Sequence, residues 1–266
     1  SFLFSAIFIY ITFAWDIWWY GGSLGQRAMV QAYPVLALSL AAFVDWSWQK
    51  RIWKHLFFSI LILFTYYNFW MTHQAHKGGL LRPGDMTKPY FWAVVGRYEI
   101  GEEKLKLLDT NELFKGERRE VKQLLQANFN TIISDTIQLN ADYAQSPPYG
   151  LQIDYTHQFS PPFVVKRNQI PEEAKWLRAS AHFVAPYKEW EMWQMAQLQI
   201  QFFKEEKSVK KRKIRLHRFL KDGEWRVLWI DSKIPRKDFD RVEVRIWNAG
   251  SPKQIFVDDL VIESFR

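Results

Sequence analysis

The sequence predicts a membrane α-helical segment of three transmembrane helices, then a short helical connector, then an antiparallel β-sandwich. Three observations predict this order. Within residues 1–76 the only charged side chains of the aspartate, glutamate, lysine and arginine types are Asp16, Arg27, Asp45, Lys50, Arg51 and Lys54. Three apolar runs in that part, about 1–20, 28–47 and 56–74, approach or match the roughly 17 to 25 residues that a spanning helix needs. From Thr131 onward apolar residues recur at every second position between turn signals, as in half-buried strands.

The membrane reading starts from the loop Trp18-Trp19-Tyr20-Gly21-Gly22-Ser23-Leu24-Gly25-Gln26-Arg27. Residues 1–15 and 28–44 carry no charge, so this loop reads as the water-facing tip of a helical hairpin. Pro34 in the second run is tolerable when neighbouring groups satisfy the carbonyl it frees. Cytoplasmic loops carry the lysine and arginine excess, and Lys50, Arg51 and Lys54 follow the second run. That places the 18–27 loop and everything after residue 76 on the extracytoplasmic side of an inner membrane. Trp15, Trp18, Trp19, Trp46, Trp48, Trp53 and Trp70 lie at the ends of the runs, where an aromatic belt meets headgroups. The first run opens at residue 1 without a basic flank, so the sequence reads as the C-terminal part of a longer, multi-pass protein.

The connector, 77–130, begins with the punctuation Gly78-Gly79 and Pro83-Gly84. Thr87 is an expected N-cap, with Pro89 in the first turn of a helix from Lys88 to about Arg97. That helix would hold Tyr90, Phe91 and Trp92 near lipid headgroups. Further helices are expected at 101–108 and at 116–128, where Val121, Leu124, Leu125 and Phe129 recur at helical spacing.

Strands of the sandwich are expected at 131–139, 151–159, 177–184, 196–204, 212–219, 225–230, 241–247 and 254–263. Roughly eight strands without helices between them favour an antiparallel sandwich. Within it, Ile214–Ile230 is the expected hairpin, with Asp222-Gly223 at its turn.

Composition narrows the chemistry. The net charge is +8, of which residues 1–76 hold four bases against two acids, leaving +6 downstream. Much of that excess is the run Lys204–Arg218, read as a solvated hairpin rather than a nucleic-acid surface because it lacks interleaved aromatics. There is no cysteine, which excludes disulfides and thiolate metal sites. The chain contains no Gly-x-Gly-x-x-Gly, P-loop, His-Glu-x-x-His or Gly-x-Ser-x-Gly motif, and of six histidines only His73 and His76 are spaced like ligands. Catalysis by this stretch alone is not indicated. Trp176, Trp190, Trp193 and Trp247 are candidates to stack against sugar rings, with core packing as the alternative. Trp190 and Trp193 are preferred, because Tyr187–Trp193 interrupts the strand pattern.

Two resemblances add expectations. Phe256-Val257-Asp258-Asp259-Leu260-Val261-Ile262-Glu263, preceded by Arg245-Ile246-Trp247-Asn248-Ala249-Gly250, resembles the closing strands of jelly-roll domains of the carbohydrate-binding-module type. That resemblance implies that Asp258 and Asp259 tie the last strand down, around a divalent metal such as calcium or by hydrogen bonds to a turn. The pattern Trp15-x-x-Trp18-Trp19-Tyr20-Gly21-Gly22-Ser23-Leu24-Gly25-Gln26-Arg27, followed by Tyr33-Pro34 in an apolar run and a basic loop, resembles the later membrane helices of bacterial GT-C glycosyltransferases. It implies transfer of a sugar from a polyprenyl-phosphate donor on the extracytoplasmic face, with the acidic catalytic residue upstream of this sequence. Arg27, with Gly25 and Gln26, would grip the donor phosphate through charge-assisted bonds or else snorkel to ordinary lipid phosphates, and Asp16 would pair with Arg27 or cap the helix. The sandwich would bind the acceptor glycan or act as a scaffold. A membrane-anchored sandwich that binds glycans or partner proteins without chemistry is the alternative.

Overall fold

The computed structural model describes residues 2–14, 27–82, 86–130, 137–187, 189–220 and 223–266, without the side chains of residues 27, 28 and 192. The chain divides into two compact units, Ser1–Ile100 and Gly101–Arg266.

The first unit holds α1 (Phe2–Phe13), a 3₁₀ turn Arg27–Ala32, α2 (Tyr33–Trp48), α3 (Arg51–His73) and α4 (Lys88–Val94). It corrects the expectation of three transmembrane helices. Among the described residues one helical stretch, Met29–Trp48, is both long and apolar enough to cross a membrane. α1 is described over 12 residues, about 18 Å at 1.5 Å per residue, short of a bilayer core. α3 has the length, at 23 residues, but the basic loop expected at 45–54 is divided between two helices. Asp45–Trp48 belong to α2, while Arg51 and Lys54 form the first turn of α3, so α3 opens on charge. Lys50 and Lys54 lie 4.5 Å over the rings of Trp46 and Trp48.

At the far end of α3, Trp70 is buried and its indole donates to the carbonyl of Arg97 at 2.8 Å. Thr87 caps α4, accepting from the Tyr90 amide at 3.2 Å, with Pro89 in the first turn as expected. Tyr90, however, is fully buried and donates to the Leu80 carbonyl, so it is a core residue of this unit rather than an interfacial one.

The second unit is the β-sandwich. A 3₁₀ turn (Glu102–Leu108) precedes β1 (Lys122–Ala127), β2 (Gln138–Asn140), β3 (Gly150–Ile153), β4 (Phe163–Lys166), β5 (Trp176–Val184), β6 (Gln197–Lys204), β7 (Lys207–Arg215), β8 (Arg226–Lys233), β9 (Arg241–Trp247) and β10 (Ile255–Phe265). One sheet has six strands: β5 and β8 lie on one side of β10, and β3 with β2, and β1, lie on the other. The other runs β4-β9-β6-β7. All pairs are antiparallel. Strict alternation buries Leu177, Ala179, Ala181 and Phe183 of one sheet against Leu198, Ile200, Phe202, Val242, Val244 and Ile246 of the other.

Two sequence expectations fail for identifiable reasons. The helix expected at 116–128 is β1, which pairs with the last strand. Its adjacent leucines fit both periods, and a bulge at Gln123/Leu125 lets Leu124 and Leu125 both pack on the core. The hairpin expected at Ile214–Ile230 is instead a crossover, because β7 pairs with β6 in one sheet and β8 with β5 in the other. Phe219 and Leu220 are buried between them, and Gly223 takes the expected positive φ of 73°. The true hairpin is β6–β7, turning at Glu205-Glu206.

Residues 102–120 form a strap over the outer face and open edge of the sandwich. Phe114 packs edge-on against Trp176 and Phe265, with centroids 5.4 and 4.9 Å away. Its amide donates to Asp231, which also holds Arg178 through two bonds of 2.7 and 2.9 Å. Glu112 accepts from Lys210 and Arg212 of β7 and from Ser232 and the Lys233 amide of β8, bridging the two sheets where their edges meet. Asp109 is completely enclosed and accepts from the Arg215 amide and from both Arg215 and Arg218 guanidinium groups. The strap therefore pairs an edge that would otherwise present free backbone donors.

Breaking a buried pair strands its partner charges, so Asp109→Ala is expected to lower the unfolding free energy by about 3–5 kcal/mol in denaturant titrations; a loss below about 1 kcal/mol would contradict this role. Lys106 supplies a pH dependence. It is buried over the Trp229 ring without a hydrogen-bond partner, and burial pushes its ammonium down to about 7, against the attraction of Asp231. Between pH 7 and 10.5 the unfolded chain then holds a proton that the folded chain has lost, so stability rises with pH across that window. In Lys106→Met that rise should be flattened in melting temperatures measured from pH 7 to 10.

Candidate functional site

The two outward faces of the sandwich differ. The strap lies against the outward face of the six-stranded sheet through Phe114, whereas on the four-stranded sheet it holds the β7 edge, through Asp109 on Arg215 and Glu112 on Lys210 and Arg212. Its composition follows from the pleat. β6 reads Gln197-Leu198-Gln199-Ile200-Gln201-Phe202-Phe203, with the apolar trio fully buried and the glutamines turned outward. β9 reads Arg241-Val242-Glu243-Val244-Arg245-Ile246-Trp247, again with only the even-numbered residues inward.

Cross-strand register assembles four rows on this face. Phe159, Trp247, Gln197 and Arg215 form the first, through an isolated bridge at Phe159 and the β9–β6 and β6–β7 pairings, with Arg215 held by Asp109 of the strap. Arg245, Gln199 and Lys213 form the second. Val164, Glu243, Gln201 and Lys211 form the third, and Lys166, Arg241 and Phe203 the fourth. Although turned outward, Gln197 and Gln199 are only 5% and 6% exposed, so they form a floor between taller rows. Their amides are joined by a bond of 3.0 Å.

The polar groups on the floor are held in fixed poses. Glu243 accepts from Arg241 at 2.8 Å and from Arg245 at 2.8 and 3.1 Å. Burial alone would raise its carboxyl, but the two guanidinium groups more than offset this and hold it below the usual carboxylate range. Arg241 also lies 4.8 Å over the Phe203 ring. At the other end Phe159 and Trp247 stack nearly parallel, 9° apart with centroids 5.9 Å apart, and Phe159 is 53% exposed. The result is an aromatic end, a floor of amides and an Arg-Glu-Arg network, all suited to hydroxyl and ring recognition.

The predicted site residues are placed as follows. Trp193 is 71% exposed in the loop that leads into β6, at the end of the sheet where Gln197 meets Trp247. Trp190, in the same loop, is only half-buried: it stacks on the buried His217, and its indole donates to the Tyr187 carbonyl at 2.9 Å. His217 is enclosed beneath it, accepts from the Ala196 amide, and is driven by burial, then by Lys253, to about 2, so it is neutral. Trp176 packs under the strap against Phe114.

Asp258 is fully buried and accepts from the Gln145 and Ser146 amides, both at 2.9 Å. Asp259 sits in a bulge with φ of 48° and accepts from the Ser146 hydroxyl at 2.6 Å. Together they tie a turn to the last strand. Among the described residues no group of three or more histidine, aspartate or glutamate side chains gathers as metal ligands. Asp16, Gly25 and Gln26 lie outside the described residues; Arg27 opens the 3₁₀ turn ahead of α2, its side chain also outside the description.

The glutamine and arginine rows were not singled out from the sequence. Their signal was available in the alternation of Gln197–Phe202 and Arg241–Trp247, each polar on one side throughout.

No protein-family model matches the chain, and no curated protein sequence matches it. Among solved structures, the CBM22-1 xylan-binding domain of Paenibacillus barcinonensis Xyn10C is 9% identical, covering 56% of this chain and 97% of its own, with a TM-score of 0.35. A structure described as family 16 carbohydrate binding module-2 is 10% identical, covering 48% and 84%, at 0.33. The Glycosylation Associate Protein (Gap123) complex from Streptococcus agalactiae is 12% identical, covering 54% and 44%, at 0.31. At TM-scores this low neither a shared fold nor a shared ligand follows.

Proposed function

We propose that the sandwich is a glycan-binding module whose ligand lies along the outward face of β4, β9, β6 and β7. The observation that carries this reading is the pairing of a stacked Phe159/Trp247 end with a recessed floor of Gln197 and Gln199 beside the Arg241-Glu243-Arg245 network. Pyranose rings bury apolar faces on flat aromatic surfaces at little entropic cost. Their hydroxyls need donors and acceptors held in place, which the amides and the arginine-bridged carboxylate provide. The stretch Met29–Trp48 supports anchoring of the module to a bilayer.

Screening the full chain on a glycan array and titrating the best ligand tests this reading. Trp247→Ala and Phe159→Ala should each weaken binding by about tenfold, with unchanged circular dichroism. An array without ligands, or variants that bind as the parent does, would end it.

Glycosyl transfer from a polyprenyl-phosphate donor is the second reading, favoured by the position of Arg27 directly ahead of the apolar stretch Met29–Trp48. An arginine there, at headgroup depth, suits a lipid phosphate. In the full-length protein Arg27→Ala should reduce transfer from a polyprenyl-phosphate sugar by at least about tenfold, the size of one lost charge-assisted bond. Unchanged transfer would remove Arg27 from the donor site.

A further inference from the structure

The glycan-binding face is asymmetric in charge. Along its β7 side the outward positions include Lys211 and Lys213, placed by register opposite Gln201 and Gln199, and then Arg215, opposite Gln197 and neutralised by Asp109. Across β6, Arg245 occupies the same row as Lys213. With strands about 4.8 Å apart and alternate residues about 6.8 Å apart along a strand, Lys211, Lys213 and Arg245 fall within roughly 10–12 Å of one another. Neither lysine is paired with a carboxylate among the described residues. The nearest acid on the face, Glu243, is already bridged to Arg241 and Arg245. The Lys211 amine is held below its ordinary value by burial first and then by Lys213 and Arg245, so the three groups sense one another. On the inward side of the same strand the opposite holds, since Lys210 and Arg212 both pair with Glu112. Cations left to repel each other beside a sugar-binding floor would be stabilised by an anion arriving with the ligand.

From this we infer that the face is specific for acidic glycans, with a sugar ring against Trp247 and the carboxylate or ester anions of neighbouring sugars on Lys211 and Lys213. The inference rests on the glycan-binding reading above. It requires the ligand to be both saccharide and anion, because the aromatic end and the cationic edge belong to one continuous floor. Arg245 contributes to the field while remaining fixed by Glu243, so the two lysines supply the charges free to move onto a ligand.

The test titrates the full chain with uronate-containing and sulfated oligosaccharides, each beside its neutral methyl-esterified or desulfated counterpart, and with polyglutamate as an anion without sugar. The acidic member of a pair should bind about tenfold more tightly, and the preference should shrink from low salt to 1 M, where screening falls to about 3 Å. In the double variant Lys211→Gln/Lys213→Gln the preference should vanish while binding of the neutral member persists. Equal binding of acidic and neutral members would overturn the inference and leave the glycan-binding reading standing. Polyglutamate binding as tightly as the acidic sugars would overturn it as mere charge attraction. Binding of no oligosaccharide, acidic or neutral, would overturn both.

Discussion

The burial of Leu198, Ile200 and Phe202 is the constraint on which the candidate site depends. These three side chains are fully enclosed between the sheets, and the two-residue pleat leaves the alternating positions no choice of side. A slip of one residue in β6 would send Gln197, Gln199 and Gln201 into the core and the apolar trio into water, at the cost of several unsatisfied amides. Register is therefore set by the core, and the outward rows inherit it. β9 is locked in the same way by Val242, Val244 and Ile246, which delivers Arg241, Glu243, Arg245 and Trp247 to the same face. Core stability and the proposed recognition face thus follow from one alternation.

The other face shows what becomes of such a surface when the chain uses it structurally. There Trp176, Phe265 and Trp229 receive Phe114 and Lys106, and Asp231 binds Arg178 and a strap amide. Every acidic group on the strap with buried oxygens has cationic partners, as Asp109 and Glu112 illustrate. On the four-stranded side the aromatic pair is half open and Lys211 and Lys213 have no carboxylate partner among the described residues, although the neighbouring Lys210 and Arg212 both bind Glu112. Within one strand Lys210 and Arg212 are tied inward to Glu112, while Lys211 and Lys213 face outward, where the proposed ligand would meet them.

The sandwich was legible because alternation is a local property. β5, β6, β9 and β10 fall within one or two residues of the expected runs, since the first three carry one uninterrupted apolar side and β10 resumes its own after the bulge between Asp258 and Val261. Pairing is not local, and there the structure departs from the sequence pattern. The Asp222-Gly223 turn promised a hairpin, but the chain crosses between sheets because Phe219 and Leu220 are needed inside. The β1 segment fits a helix as well as a strand because Leu124 and Leu125 satisfy both periods, and only its bulged pairing with β10 decides between them. Three spanning helices were inferred from apolar counts. Charges assigned to a loop instead open α3, and one stretch among the described residues meets both criteria. At the site Trp193 is exposed, whereas Trp190, expected to be exposed like it, is half-buried, because it stacks on His217, 27 residues away in the sequence. The glutamine floor went unread for the opposite reason: glutamine in a strand carries no motif, and its meaning arises only when Arg245, Lys213 and Trp247 are brought beside it by pairing.

The central claim is that ligand lies on the four-stranded face rather than on the exposed loop around Trp193 or elsewhere. Hydrogen–deuterium exchange of the full chain, with and without a bound oligosaccharide, addresses it directly. Binding on the four-stranded face concentrates the gained protection in peptides covering 197–203 and 241–247, with β5 and β8 unchanged. Protection confined to 187–194, or appearing over the strap and the six-stranded sheet, would contradict it.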